Sequence, residues 1–363
     1  MALSSAVIDG TADSRFSPVR EVFEDTVRAL PGTGAALAAW HEGVWVVDLW
    51  GGWADAALSR PWRRSSIVQP YSVTKPFAAL CALRLVDAGK LELDAPVQRY
   101  WPEFRAPATV RHVLSHQAGV IALDEPAPTA TFYDWDRLCE LLARQEPAWT
   151  PGTAHGESAL FYGHLVGELV RRVDGRSLGR FLRDEICRPL DLDFQVGLSP
   201  ADCRRAVDLT GLDEAFRRSN EAGRPALYRR ALGNPPGALE ARVVNSAAWQ
   251  SAEIPAINGH GNARAIAGLY AALLRGELLS PAVLAEATTA QCAGRDRVFG
   301  HENAWGLGFG LDDEGFGMGG VGGSFGGANT RVGYALAYVT GTMGDFSAGE
   351  ALENTFRSCL ELA

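Results

Sequence analysis

Hydrophobic positions change their spacing several times along this chain, and the changes outline a sheet whose pieces lie at both ends of a helical middle. Residues 18–30 carry apolar side chains at helical spacing behind Pro18. Residues 35–40 and 44–50 are apolar, aromatic-rich runs about the turn His41-Glu42-Gly43, which predicts two antiparallel strands. From residue 75 to about 188 helical patterns dominate, broken at 145–156 by Pro147, Pro151 and Gly152. Within that stretch Phe77, Leu80, Cys81, Leu83, Leu85 and Val86 follow an amphipathic helix that stops at Gly89-Lys90. Residues 199–250 are polar and irregular around Asn234-Pro235-Pro236-Gly237 and read as a pocket rim. Helical spacing returns over 263–274, strands are predicted over 306–311, 315–318 and 331–340, and a helix over 348–362 closes the chain.

Composition narrows the function classes. A chain of 363 residues exceeds a typical single core, so one large or two interleaved domains are expected. The net charge of -9 comes without any block of like charge, which leaves no footprint for nucleic acid or for an anionic membrane. No run reaches the roughly 18 apolar residues of a membrane span. Met1-Ala2-Leu3-Ser4-Ser5-Ala6-Val7-Ile8-Asp9 lacks the basic region and long apolar core of a secretory signal, and the six cysteines are scattered without a C-x-x-C pair. Both features predict a cytoplasmic protein with reduced thiols. None of the seven histidines forms a pair of the H-E-x-x-H type, so neither a metal nor another cofactor is expected.

The candidate chemistry lies where the first long helix begins. Ser72-Val73-Thr74-Lys75 places a hydroxyl and an amine one turn apart on one face. A partly desolvated lysine has a lowered pKa and can take the serine proton, which makes Ser72 a candidate nucleophile and Lys75 its base. The free N–H groups of the helix start favour a developing oxyanion there. Taken alone, the same four residues also describe an N-cap serine followed by a solvated first-turn lysine.

More of the chain bears on that choice. Tyr71-Ser72-Val73-Thr74-Lys75-Pro76-Phe77, Leu91-Glu92-Leu93-Asp94-Ala95-Pro96-Val97 and Val113-Leu114-Ser115-His116-Gln117-Ala118-Gly119 resemble the serine β-lactamase and penicillin-binding-protein-like superfamily. So do Pro151-Gly152-Thr153, Leu165-Val166-Gly167-Glu168-Leu169-Val170 and Arg188-Pro189-Leu190. The likeness runs from about residue 15 to 360, and the class C-like branch with family VIII carboxylesterases is the nearest in pattern. The resemblance implies an α/β fold, an antiparallel sheet flanked by helices with an inserted mostly helical domain. The sheet domain would comprise residues 1–70 and 251–363 and the helical domain 71–250, with the active site between them. It also implies an acyl-enzyme on Ser72 with Lys75 as its partner.

One family feature is missing. Extending the resemblance from Pro151-Gly152-Thr153 puts Glu157 where such enzymes carry a proton-shuttling tyrosine. A carboxylate there either acts as a general acid/base or pairs with Lys75 and holds it protonated. Tyr162 and Tyr71 are candidate replacements for the phenol, and a solvated helix-start carboxylate is the alternative reading of Glu157. The family's third motif maps to Met318-Gly319-Gly320, with the N–H of Val321 expected to complete an oxyanion hole with that of Ser72, and Ser324 as the alternative donor. Met318 stands where β-lactamases carry a cation, which predicts a neutral or hydrophobic acyl group. Tyr133, Trp135, His260 and Trp305 are further candidate substrate contacts, and His116 reads as a structural histidine. The expected activity is that of a serine hydrolase on an ester, or an amide, of a small molecule. The rival readings are acyl transfer, and a repurposed pocket that uses Glu157 without a covalent intermediate.

Overall fold

The structure, a computed structural model, describes residues 7–360. The first six residues, within the stretch read above for a secretory signal, and the last two of the closing helix expected over 348–362 therefore lie outside the described residues. Among the described residues nine antiparallel strands form the main sheet: β1 Ile8–Ala12, β2 Ala35–His41, β3 Val44–Gly51, β6 Cys292–Arg295, β7 Glu302–Trp305, β8 Gly310–Leu311, β9 Gly315–Gly319, β10 Phe325–Asn329 and β11 Tyr334–Thr340, with β4 Phe194–Gln195 and β5 His260–Gly261 paired apart from it. Their order is β1-β3-β2-β11-β10-β9-β8-β7-β6, so the first strands meet the last ones at the β2–β11 ladder.

That central ladder shows why the sheet carries helices on both faces. Successive strand side chains point to opposite sides. On β2, Ala36, Ala38 and Trp40 enter one core, while Ala35, Leu37 and Ala39 enter the other. On β11, Ala335, Ala337 and Val339 join the first, while Tyr334, Leu336 and Tyr338 join the second. The second core is sealed by the helices Ser17–Ala29 and Ser347–Cys359, through Phe23 and Phe356 among others. The helix Ala263–Leu274 covers the first, and Gly326 lets it approach, since a Cβ there would fall on Ile266.

The helix Lys75–Asp87 departs from the amphipathic expectation. Every residue from Lys75 to Leu83 is buried. It runs through the interior against Tyr162–Asp174, Leu178–Leu182 and Pro281–Ala287, so it needs no polar face. Among the described residues no helix is long and apolar enough to cross a membrane.

Candidate active site

One turn of 3₁₀ helix, Tyr71–Thr74, leads into this buried helix and carries Ser72 at its second position. Tyr71, just before it, has φ +48°, a left-handed conformation that a bulky side chain adopts only when its surroundings impose it. Here the phenol is buried and donates to the Ala238 carbonyl oxygen at 3.0 Å, which anchors the turn. Burial also pushes the Tyr71 phenol well above its ordinary pKa, so it stays a neutral donor and is committed elsewhere.

Around Ser72 three polar side chains meet. The Lys75 Nζ donates to Ser72 Oγ at 2.7 Å, to Glu157 Oε1 at 2.8 Å and to the Ala256 carbonyl at 3.3 Å. Ser72 Oγ in turn donates to Glu157 Oε1 at 3.3 Å. An ammonium has three N–H donors, and here each has an acceptor. Lys75 is fully buried, and burial pushes its pKa below the ordinary lysine value while the Glu157 carboxylate opposes the shift. Glu157 is thus no solvated helix-start charge: it is 8% exposed and lies ahead of the helix Tyr162–Asp174.

A second carboxylate holds Glu157 in place. Asp296, 1% exposed, accepts the Glu157 N–H at 3.0 Å, that of Val298 at 2.8 Å and that of Phe299 at 2.7 Å. No motif marks it, and it comes from 139 residues further along the chain. Asp296→Ala leaves these three N–H groups, and the Asn303 amide that reaches the same carboxylate at 3.4 Å, without their acceptor, so we expect a loss of about 3 kcal/mol in denaturant unfolding, several-fold more than a surface substitution.

The glycine-rich turn after β9 closes the site. A Cβ on Gly320 would fall on the Pro70 carbonyl oxygen and come within 3.3 Å of the Ser72 nitrogen, so the strand end touches the Ser72 turn and only glycine fits. Val321 follows directly. Among the described residues neither the Ser72 nor the Val321 N–H bonds to the protein, whereas the Gly320 N–H is taken by the Ser324 carbonyl at 2.7 Å; Val321 lines the cavity beside Ser72, and Ser324 does not. Beside Ser72 lies a cavity of about 790 Å³, lined by Glu157, Tyr228, Phe299, Trp305 and Met318 among others. Its size suits a small organic ligand.

Residues 23–357 match the family described as Beta-lactamase. This chain belongs to the beta-lactamase family. It is 35% identical over 357 residues to the esterase/beta-lactamase LipL of Mycobacterium tuberculosis, an alignment covering 91% of this chain and 82% of LipL. The crystal structure of a family VIII carboxylesterase superposes with a TM-score of 0.88 at 35% identity, covering 97% of this chain and all of that one. A penicillin-binding-protein homologue from Caulobacter crescentus superposes with a TM-score of 0.83, also at 35% identity, covering 95% and 100%. The chain is a β-lactamase-like serine hydrolase with the mixed α/β fold of that superfamily.

Not every sequence candidate of this beta-lactamase-family site lies at the cavity. Tyr71, Trp305, Met318, Gly319, Gly320 and Val321 line it. Tyr162 does not: it is fully buried, its hydroxyl donates to the Leu114 carbonyl at 3.1 Å, and it packs on His116. Trp135 is turned into the protein, where it donates to Glu168 at 2.8 Å and stacks on His164, while Tyr133 lies exposed at 38% outside the cavity. His260, expected as a substrate contact, is a strand residue that does not line the cavity. It is 1% exposed, its Nδ1 lies 2.8 Å from the Asn258 carbonyl, and burial lowers its pKa to about 4. His116 is buried with Nδ1 accepting the Ser158 N–H at 3.2 Å, and burial lowers it to about 3, so it stays neutral. The residues that sequence reasoning missed are Asp296, Tyr228, Phe299 and Arg224, the last three also lining the cavity. The only signal for 224 and 228 was the irregular 199–250 stretch itself.

Proposed function

We propose that this enzyme hydrolyses an ester of a small molecule with a neutral or hydrophobic acyl group through an acyl-enzyme on Ser72, with Glu157 as the proton acceptor and Lys75 as a fixed cation. The observation that carries this reading is the three-way contact of Ser72, Lys75 and Glu157 beside a ligand-sized cavity. All three Lys75 donors are engaged, so the serine proton faces Glu157. As Ser72 Oγ attacks the carbonyl carbon its proton passes to Glu157, and the carbonyl oxygen becomes an oxyanion between the Ser72 and Val321 N–H groups. The bond to the leaving alcohol breaks and that oxygen takes the proton from Glu157. Water then gives a proton to Glu157 and attacks the acyl carbon, and Ser72 leaves with the proton. One ester and one water give one acid and one alcohol.

The homology to an esterase and to a carboxylesterase supports ester over amide, and Met318 in the cavity wall supports an apolar acyl group. The reading also includes a cytoplasmic location, supported by six free cysteines, three of them buried. A cavity of this volume also holds an alcohol acceptor beside the acyl group, so the acyl-enzyme can be intercepted; the yield of transfer product with added alcohol reads that branch out. Gly320→Ala tests the oxyanion site. Its methyl pushes the strand off the Ser72 turn, and kcat for a p-nitrophenyl ester should fall about 100-fold with KM changed far less.

A further inference from the structure

Two cationic side chains line the cavity, Arg224 and Arg357. Arg357 is committed, because its Nη1 bonds Glu314 at 2.6 Å. Arg224 is not. Its Nε bonds the Asn220 carbonyl at 3.3 Å and its Nη1 the Phe299 carbonyl at 2.9 Å, with His301 Nδ1 at 3.5 Å. Its guanidinium lies against the Tyr228 and Phe299 rings, 5.7 and 5.4 Å from their centroids. Among the described residues Arg224 faces no carboxylate, and its Nη2 has no protein partner. A half-buried arginine fixed by two carbonyls and two rings, with donors left over in a ligand cavity, is preorganised to bind a planar anion.

The acidic groups lining the same cavity are already satisfied or remote. Glu157 pairs with Lys75 at 2.8 Å. Asp312 accepts the N–H groups of Glu314 and Gly315 at 2.8 and 2.7 Å. Glu314 is shared by Arg331 and Arg357, Glu353 accepts the Tyr334 hydroxyl at 2.9 Å, and Asp313 sits exposed on the turn between β8 and β9. The cation at Arg224 is the one among these groups left for a ligand to neutralise. Arg224 and Met318 come from different segments of the cavity wall, one charged and one apolar, whereas the oxyanion is fixed between the Ser72 and Val321 N–H groups. The ester reading above makes the acyl half the uncharged one, on the ground of the apolar Met318 in the cavity wall, so a carboxylate met by Arg224 belongs to the alcohol half.

Building on the ester reading, we propose that Arg224 binds a carboxylate on the alcohol half of the substrate, while the Met318 side takes the uncharged acyl half. The natural leaving group is then a hydroxy acid, aromatic or aliphatic, and the enzyme releases it from its acyl ester.

Matched aryl esters test this. The full-length protein should hydrolyse 3-carboxyphenyl butyrate with a kcat/KM about tenfold above that of its neutral isostere 3-carbamoylphenyl butyrate, the difference lying in KM and shrinking with added salt. Arg224→Gln should bring the ratio of the two substrates to about one, and Arg224→Lys, which keeps the charge and loses the fork, should keep part of it. Thermal unfolding of both variants separates loss of fold from loss of preference. A wild-type ratio near one, a ratio that survives Arg224→Gln, or a stronger preference for phenyl hydrogen glutarate, with its acid on the acyl half, would each overturn the assignment. Failure of the wild type to cleave any of the three esters would instead overturn the ester reading beneath it.

Discussion

Ser72→Ala should lower ester turnover by about 10⁴-fold or more and abolish labelling by a fluorophosphonate, with the fold intact. Ser72 Oγ is the atom that Lys75 and Glu157 converge on, 2.7 and 3.3 Å away, and an alanine leaves those two groups paired with each other but with no oxygen to activate. The side chain is half-buried at the cavity wall and supports no core contact, so unfolding should move by less than about 1 kcal/mol. Intact-mass analysis after brief exposure to a p-nitrophenyl ester supplies the positive control: an acyl adduct on the wild type and none on the variant. If Ser72→Ala keeps its turnover while Glu157→Gln loses it, the carboxylate is the reactive group and no acyl-serine forms.

The elements that sequence periodicity revealed are those whose side chains carry the signal. The hairpin of β2 and β3 is apolar on both faces because two cores enclose it, and the helix Ala263–Leu274 has the bounds its spacing predicts. β10, Phe-Gly-Gly-Ala-Asn, and β6, Cys-Ala-Gly-Arg, escaped notice because glycine contributes no side chain to a period of two, and the ladders to their neighbours hold them as strands. β1 escaped for a related reason, with Asp9 and Gly10 inside an edge strand that β3 pairs. The helix that carries Lys75 read as amphipathic, since a two-class pattern does not show that the face opposite its apolar stripe, rich in alanine, is also covered.

The site was legible to the same degree. Ser72 and Lys75 are three residues apart, and one turn of helix brings them together. Glu157 lies 85 residues from Ser72 and was located only through resemblance. Nothing local distinguishes Asp296 or Arg224 from any surface charge, because their surroundings are assembled by distant segments: Phe299 for Arg224, and Glu157 for Asp296. His260 was misread for the converse reason. Glycine on both sides of a residue is a turn signal in sequence, yet Gly259 and Gly261 are there to let Phe194 pack closely, as a Cβ on either would fall on that ring.

Glu157→Gln should reduce kcat at neutral pH by about 100- to 1,000-fold, because the amide keeps the shape and cannot accept the Ser72 proton. The same change should also make stability depend on pH in a specific direction. Burial lowers the Lys75 pKa in the folded protein from its ordinary 10.5, and the Glu157 charge and hydrogen bond limit that fall. Between the folded and unfolded values the unfolded chain binds more protons, so stability rises with pH across that window. Removing the carboxylate drops the folded value further, and the window opens at lower pH. Below it the variant holds a buried ammonium without its counter-charge, at a cost of about 3 kcal/mol that fades as Lys75 deprotonates. Denaturant titrations between about pH 6 and 10 should therefore converge for wild type and variant at the alkaline end. Activity should follow the same window, since a neutral Lys75 amine, 2.7 Å from Ser72 Oγ, becomes a base once the carboxylate is gone. Glu157→Tyr should retain more turnover than Glu157→Gln, as a phenol at that position can pass the proton. Equal kcat for wild type and Glu157→Gln at neutral pH would remove Glu157 from the proton path and leave Lys75 as the acceptor in the native enzyme.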